Sequence, residues 1–275
     1  MNRRLIARVI QKKHDDFIQS IRDEHVRDLV DKNSIITGGS IASMLLGERI
    51  NDFDYYFTDK ATVLAVAKYY VAEFNALHPN VSVKPEVRED DQGRVKIWVQ
   101  SAGITGEDEK QGTYKYFENH PDQEAMDYIE NVVQTADETD SAHIEEMDQE
   151  KGKYRPVFLS ANAITLSDKV QLVIRFYGNA EEIHKNYDFI HCCNYWTSQD
   201  GKLTLNPGAI ESLLCKHLQY QGSLYPLCSV IRTRKFLKAG WYINAGQYLK
   251  MCFQISELDL SSLEVLEDQL TGVDA

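Results

Sequence analysis

The sequence lacks any apolar run approaching the roughly 18 residues needed to span a bilayer. Its basic start, residues 1–17, also lacks the uninterrupted apolar stretch of a signal peptide. We therefore expect a cytoplasmic protein without a membrane partner. Cysteine is scarce. The five cysteines in 275 residues are odd in number and show no C-x-x-C spacing. This argues against a disulfide framework and favours reduced thiols.

Basic residues are also in the minority, with 30 Lys and Arg against 42 Asp and Glu and a net charge of −12. Such a balance normally argues against nucleic-acid binding, which needs clustered Lys and Arg. However, residues 107–150 contain 15 acidic residues and only two lysines, so this segment carries −13 and the remainder +1. We therefore expect an acidic insertion at about 105–153, partly helical near 121–134, within an otherwise nearly neutral body.

The hydrophobic periodicity predicts an α+β protein with a mixed β-sheet and flanking helices, followed by an all-helical C-terminal part. We place the boundary between two domains after residue 200. The helices predicted in the first domain are 3–30, Ser40–Leu46, Lys60–Leu77 and Ala180–Lys185. Its predicted strands are Ser34–Thr37, Asp52–Thr58, a hairpin within 81–104, Pro156–Ser160, Ala163–Leu166, Val170–Phe176 and Tyr187–His191.

Two aspartates lie two positions apart in a predicted strand. Because strand side chains alternate, the carboxylates of Asp52 and Asp54 project from the same face. Mg²⁺ prefers such hard oxygen ligands and is usually held by one or two carboxylates plus substrate phosphates. Upstream, Gly38 and Gly39 form a turn before the helix that begins at Ser40. The helix N-terminus, the bare glycine backbone and the Ser40 hydroxyl together predict a phosphate site.

The segment G-G-S-I-A-S-M-L-L-G-E-R-I-N-D-F-D (38–54) resembles the active-site motif of DNA polymerase β-like nucleotidyltransferases. The resemblance is closest to the branch of tRNA CCA-adding enzymes and bacterial poly(A) polymerases. It implies a nucleotidyltransferase palm over residues 1–200 and a metal site at Asp52 and Asp54. The sequence departs from the family at Ala42-Ser43, where the motif has Arg-Asp. This departure weakens the transfer of substrate identity from that branch.

The resemblance also implies a third catalytic carboxylate on a later strand, and Asp188 is the candidate. Asp188-Phe189 resembles the Arg-Asp-Phe strand of the CCA-adding branch, with Tyr187 in place of the arginine. A buried carboxylate is costly unless a metal ion or a base compensates it. The alternative interpretation of Asp188 is an aspartate that caps a turn.

A basic group follows in the helical part, where C-S-V-I-R-T-R-K-F (228–236) resembles the nucleotide- and RNA-contacting helix of the same branch. Triphosphate or RNA-backbone contacts are therefore predicted for this basic group, with a solvated helix face as the alternative. Its members are Arg232, Arg234, Lys235 and Lys238, with Lys216 and His217 one helix earlier.

Together these features predict an enzyme that transfers a nucleotide from a nucleoside triphosphate, such as ATP, to a hydroxyl acceptor. The expected cofactor is Mg²⁺, with Mn²⁺ as an alternative ion, in a two-metal site. The expected acceptor is an RNA 3′ end, including that of a tRNA. Two alternatives stay open: nucleotidylation of a protein or small molecule, and a catalytically silent relative that binds nucleotide, RNA or protein.

Overall fold

The computed structural model describes residues 2–79, 84–90, 93–98, 103–105 and 152–270. The chain divides into two compact units. Of the described residues, the first unit contains 2–105, 152–184 and 192–209, and the second contains 185–191 and 210–270. The predicted acidic stretch 107–150, with its predicted helix, lies outside the described residues. Within the described ranges, no helix is long and apolar enough to cross a membrane.

The N-terminal segment forms two helices, α1 (Arg3–Ser20) and α2 (Glu24–Asn33), so the prediction of one helix over 3–30 was wrong. Ile21 is extended at the end of α1, and the Asp23 carboxylate accepts a hydrogen bond from the Val26 N–H. An aspartate in this position satisfies a donor that the first turn of a helix leaves without a partner. The remaining helices of the first unit are α3 (Gly39–Leu46), α4 (Lys60–Leu77) and α5 (Ala180–His184).

An eight-stranded mixed sheet forms the centre of the first unit, in the order β10-β9-β1-β2-β8-β7-β6-β5. The β1–β2 pair is antiparallel, whereas β2 and β8 are parallel. A separate antiparallel hairpin joins β3 to β4. The strands are β1 (Ser34–Thr37), β2 (Phe53–Phe57), β3 (Glu86–Glu89), β4 (Val95–Trp98), β5 (Gly103–Thr105), β6 (Pro156–Ser160), β7 (Ala163–Leu166), β8 (Val170–Tyr177), β9 (Tyr195–Thr197) and β10 (Lys202–Thr204). This sheet with its helices confirms the predicted α+β class.

Strand β2 shows how the sheet separates a core face from a polar face. Phe53, Tyr55 and Phe57 belong to the hydrophobic core, which also contains apolar residues of α1 and α4. Because strand side chains alternate, Asp54 and Tyr56 point to the opposite face. The core therefore fixes the face of β2 that Asp54 occupies.

The prediction of a strand over Tyr187–His191 was wrong. Phe189 makes only an isolated bridge to Tyr220, and Ile190–Cys192 is a single 3₁₀ turn. The strand that joins the sheet beside β1 is instead β9, which the sequence analysis missed. A short apolar run does not reveal whether a neighbouring strand is available to pair with it.

The second unit is helical, as the sequence predicted for the C-terminal part. Helix α6 (Pro207–Cys215) leads into it from the first unit, and three helices follow. These are α7 (Pro226–Lys238), α8 (Ala245–Ser256) and α9 (Leu263–Leu270). The predicted domain boundary after residue 200 stays a prediction.

Candidate functional site

The glycine turn leaves the start of α3 open to an anion. Gly38 has φ 92°, a backbone conformation that a side chain would strain, and no side chain caps the helix. Gly39 is exposed, and a Cβ built on it would meet no atom within 4 Å. The first N–H groups of a helix point outward at its positive end. The turn therefore has the chemistry of a phosphate site.

The pairing of β1 with β2 places an aspartate beside this turn. Thr37, the last residue before Gly38, is the direct cross-strand partner of Asp54. Directly opposed residues in an antiparallel pair have their Cβ atoms about 4.5–5.5 Å apart on one face. The predicted metal ligand and the predicted phosphate turn are thus brought together by strand register rather than by sequence spacing alone.

The two aspartates fit a divalent cation that is shared with a substrate. Asp52 is exposed just before β2, and Asp54 is half-buried within it. In the part of the chain that the structure describes, no group of three or more His, Cys, Asp or Glu side chains is placed to hold a metal ion. Two carboxylates suit Mg²⁺, which usually completes its coordination with phosphate oxygens and water. The donor set therefore fits a metal that binds with a nucleotide.

Ser40, predicted as a further phosphate donor, is only 2% exposed. Its hydroxyl is buried and makes no hydrogen bond within the described ranges. The accessible group at this turn is therefore the exposed Gly39, and a role for the Ser40 hydroxyl stays a prediction.

A row of polar side chains crosses the sheet at the level of Asp54. Each member is the cross-strand partner of the next, so the row lies on one face. In spatial order it consists of Thr204, Tyr195, Thr37, Asp54, Gln171 and Thr165. Apart from the buried Thr37, these residues are half-buried. Such a row can hydrogen-bond a polar ligand across several strands.

His184 joins this row through Thr37. The His184 Nε2 lies 2.8 Å from the Thr37 Oγ1, which in turn donates to the Asn194 carbonyl at 2.9 Å. The Thr37 hydroxyl also lies 3.3 Å from the Cys192 carbonyl, and the donor and acceptor roles in the His184 contact depend on the imidazole tautomer. Burial lowers the pKa of His184 to about 4, so the imidazole is neutral near pH 7.

Sequence reasoning missed the roles of His184 and Tyr195 in this arrangement. Their rings lie 5.7 Å apart, and both residues approach Thr37. They follow Thr37 by about 150 positions, and no local pattern marks that proximity. In the sequence, the only indication of this arrangement was that Thr37 directly precedes the predicted phosphate turn at Gly38.

Asp188, the predicted third carboxylate, belongs to the second unit and pairs with Arg232 there. The Arg232 Nη1 lies 2.5 Å from the Asp188 Oδ2. The side chains are 5% exposed for Asp188 and 30% for Arg232. A base thus compensates the buried carboxylate, and no metal is needed for this purpose. A metal-ligand role for Asp188 stays a prediction.

The other basic candidates also lie in the second unit. Arg234 and Lys235 are exposed on α7, whereas Lys216 is half-buried after α6. The guanidinium of Arg232, on the same helix as Arg234 and Lys235, contacts the Asp188 carboxylate. Their contacts to triphosphate or RNA stay predictions.

A family model described as "Gabija anti-defense 2 family protein" matches residues 8–216, which is more than half of the chain. The chain belongs to the Gabija anti-defense 2 family. A relative named "Gabija anti-defense 2", from Bacillus phage SPbetaL7, is 22% identical over 107 residues. That match covers 38% of this chain and 27% of the relative, so it spans about a quarter of the relative's length. The narrower CCA-adding branch stays a prediction for this member of the Gabija anti-defense 2 family.

Two solved structures show a distant likeness. The CCA-adding enzyme of Thermotoga maritima in complex with tRNA matches with a TM-score of 0.42 and 10% identity, over 89% of this chain and 45% of that one. A tRNA nucleotidyltransferase in complex with a primer tRNA and an ATP analog matches with a TM-score of 0.37 and 13% identity, over 83% and 48%. This chain thus spans less than half of either enzyme.

Proposed function

We propose that this protein transfers a nucleotide from a nucleoside triphosphate to a hydroxyl acceptor. The observation that carries the proposal is the cross-strand pairing of Thr37 with Asp54, which sets the Asp54 carboxylate beside the open glycine turn. Neither feature is specific alone. Their juxtaposition supplies both requirements of phosphoryl-type transfer, namely a phosphate grip and a carboxylate platform for a cation.

In the proposed reaction, the acceptor oxygen forms a bond to the α-phosphorus while the bond from that phosphorus to pyrophosphate breaks. The N-terminus of α3 and the Gly39 backbone hold the phosphate oxygens, with the helix dipole opposing their negative charge. The neutral His184 orients the Thr37 hydroxyl at the end of β1. The role of the protein is therefore mainly positioning and charge stabilisation.

Asp52 and Asp54 are the residues proposed to hold the metal, with Asp188 as the predicted third ligand. A bound Mg²⁺ or Mn²⁺ would neutralise the negative charge that develops on the entering and leaving oxygens. The carboxylates of Asp52 and Asp54 would leave coordination positions that the phosphates of the substrate can fill.

The acceptor is the finer part of the proposal. An RNA 3′ end, including that of a tRNA, is favoured by the basic residues Arg234 and Lys235 on the exposed side of α7. The relative's name refers to action against Gabija, and we include in the proposal that the transfer serves such an anti-defense role. A protein hydroxyl is then the alternative acceptor.

The decisive experiment incubates the purified protein with each nucleoside triphosphate labelled at the α-phosphate, Mg²⁺ and either total RNA or a protein mixture. Nucleotidyl transfer predicts label in one acceptor pool. Label at the γ-phosphate should not transfer, because that phosphate leaves in pyrophosphate. Transfer of γ-label instead would indicate a kinase and contradict the proposal.

A catalytically silent binding protein is the second candidate. It is favoured by the pairing of Asp188, the candidate third carboxylate, with Arg232 in the second unit. Such a protein would bind nucleotide, as measured by calorimetry, without incorporating label into RNA or protein under any metal condition. Plating of phage on Bacillus cells that carry Gabija would then be unaffected by Asp52→Asn, whereas an enzyme would lose its protective effect.

A further inference from the structure

The turn between β7 and β8 has a strained backbone at Lys169, close to the proposed metal-binding pair. Asp168 and Lys169 both adopt left-handed conformations, with φ 61° and 60°. Aspartate tolerates this conformation because its short side chain can bond the local backbone, whereas the long lysine side chain has no such compensation. A glycine would adopt it without strain. The lysine side chain is therefore held at this position at a cost in stability, as is common for residues at functional sites.

Hydrogen bonds to both sides of Asp52 hold Lys169 in place. The Phe53 N–H donates to the Lys169 carbonyl at 2.8 Å, and the Lys169 ammonium donates to the Ile50 carbonyl at 3.2 Å. Lys169 is exposed, and its ammonium has three N–H donors, so the contact with Ile50 orients the group without using all of them. The cation thus lies beside the chain segment that carries Asp52.

A second lysine fixes this turn against the start of β2. The Lys13 ammonium contacts the Asp168 carbonyl. It lies 4.7 Å from the Tyr154 ring centroid and 5.5 Å from that of Phe53. The Tyr154 N–H also donates to the Asp168 carboxylate at 3.3 Å. Cation–π contacts and hydrogen bonds therefore join α1, the turn and β2, and the strained conformation of Lys169 is held by its surroundings.

Strand directions place three groups in a row at one edge of the sheet. Because β1 is antiparallel to β2 and β8 is parallel to it, β1 ends at the edge where β2 and β8 begin. The strand order β1-β2-β8 therefore sets the glycine turn on one flank of Asp52 and Lys169 on the other. Neighbouring strands lie about 4.8 Å apart, so each flank is roughly one strand spacing from the Asp52 backbone.

We propose that the Lys169 ammonium contacts the acceptor oxygen and stabilises the negative charge that this oxygen carries as it attacks. The attacking and leaving oxygens of such a transfer lie in line, on opposite sides of the phosphorus. With the leaving phosphates at the glycine turn, the acceptor enters from the β8 flank, where Lys169 lies.

In this step, the acceptor hydroxyl loses its proton to solvent, its oxygen bonds to the α-phosphorus, and the bond from that phosphorus to pyrophosphate breaks. A fixed cationic donor at the entering oxygen stabilises the charge that develops there. This inference rests on the proposed function and adds to it a catalytic residue that serves an RNA or a protein acceptor alike.

The test follows transfer from an α-labelled nucleoside triphosphate to the acceptor pool that the wild type labels. Lys169→Gln and Lys169→Gly should both lower kcat roughly tenfold to a hundredfold, because a charged donor to the entering oxygen is lost. KM for the triphosphate should be unchanged, since the leaving phosphates bind on the other flank. Lys169→Arg should keep most of the activity, because it keeps the cation. Lys68→Gln is the matched control, because Lys68 is exposed on α4, which packs on the core face of the sheet.

Thermal melting provides a readout that does not depend on transfer. Lys169→Gly should melt at a higher temperature than both the wild type and Lys169→Gln, because glycine relieves the left-handed strain. A variant that is more stable and yet slower distinguishes a catalytic lysine from a structural one. A lower melting temperature in Lys169→Gly would mean that the lysine is structural.

Three kinetic results would overturn the inference. They are a wild-type kcat in Lys169→Gln, a raised KM for the triphosphate at unchanged kcat, and equal losses in Lys169→Arg and Lys169→Gln. The second result would assign Lys169 to the leaving phosphates instead. The wild type separates this inference from the proposed function. If the wild type transfers label and Lys169→Gln does so at the same rate, only the role of Lys169 fails, whereas absence of transfer in the wild type removes both.

Discussion

Asp52 is exposed just before β2, whereas Asp54 is half-buried within β2 and pairs with Thr37 beside the glycine turn. Asp52→Asn and Asp54→Asn should each lower nucleotide transfer by roughly a hundredfold or more, because an amide is a poor Mg²⁺ ligand of nearly the same shape. EDTA should abolish transfer in the wild type, and Mn²⁺ should restore it. Transfer near the wild-type rate in either variant, with unchanged melting temperature, would contradict the metal site.

The Thr37 hydroxyl connects His184 to the end of β1. Thr37→Val keeps the shape but removes the hydroxyl that contacts His184 and the Asn194 carbonyl. We expect a roughly tenfold fall in kcat, with a smaller change in KM, because a misplaced reacting group costs more in the transition state than in the ground state. Thr37→Ser should restore kcat. An unchanged kcat in Thr37→Val, or a kcat in Thr37→Ser as low as in Thr37→Val, would contradict this role of the hydroxyl.

At the scale of elements, helix α3 begins and ends at glycines with different roles. Gly39 starts the helix in open space, whereas Gly47 ends it with φ 74°. Gly39→Ala should leave the melting temperature unchanged and raise KM for the triphosphate, because the added Cβ obstructs only a bound phosphate. Gly47→Ala should destabilise the protein by about 1 kcal/mol through the left-handed backbone, with unchanged KM. An unchanged KM in Gly39→Ala together with a raised KM in Gly47→Ala would contradict a phosphate site at Gly39.

The ion pair between Asp188 and Arg232 joins the segment before the 3₁₀ turn to helix α7. Arg232→Ala leaves a buried carboxylate without its cation and should lower the free energy of unfolding by about 3 kcal/mol. A double replacement of both residues by leucine should be less destabilising than Arg232→Ala alone. Denaturant unfolding measures both. Loss of transfer in Asp188→Asn at unchanged stability would instead support the metal-ligand prediction.

For the whole molecule, the buried histidines predict sensitivity to acid. Burial lowers the pKa values of His14, His184 and His191, the last two to about 4. Their folded pKa lies below the unfolded value of about 6.5, so the unfolded state binds more protons between about pH 6.5 and 4. The contribution of these neutral histidines to the free energy of unfolding is therefore fully present above pH 6.5 and is lost as the pH falls toward 4.

His191→Gln should flatten this dependence. His191 is 2% exposed, and its shift corresponds to about 3 kcal/mol, as an order of magnitude, lost below pH 4. Melting temperatures from pH 7.5 to 4.5 measure the effect. His25, which is exposed on α2, provides the control, because His25→Gln should leave the pH profile as it is. A His191→Gln profile parallel to that of the wild type would contradict the prediction.

The sequence by itself determined the local parts of the candidate site. Strand alternation predicted a shared face for Asp52 and Asp54, and the glycines at 38, 39 and 47 predicted the ends of α3 to within one residue, because these features depend only on neighbouring residues. The sequence also indicated the α+β class, since hydrophobic periods of 2 and 3.6 distinguish strands from helices.

Only the tertiary structure decided which distant segments meet. It placed β9 rather than 187–191 beside β1, brought His184 to Thr37 and supplied Arg232 as the partner of Asp188. Strand partners are chosen by register and by burial of a whole face, and a buried charge takes whichever counter-charge the packing brings near. These choices depend on contacts between residues that are far apart in the chain, and a local pattern does not encode them.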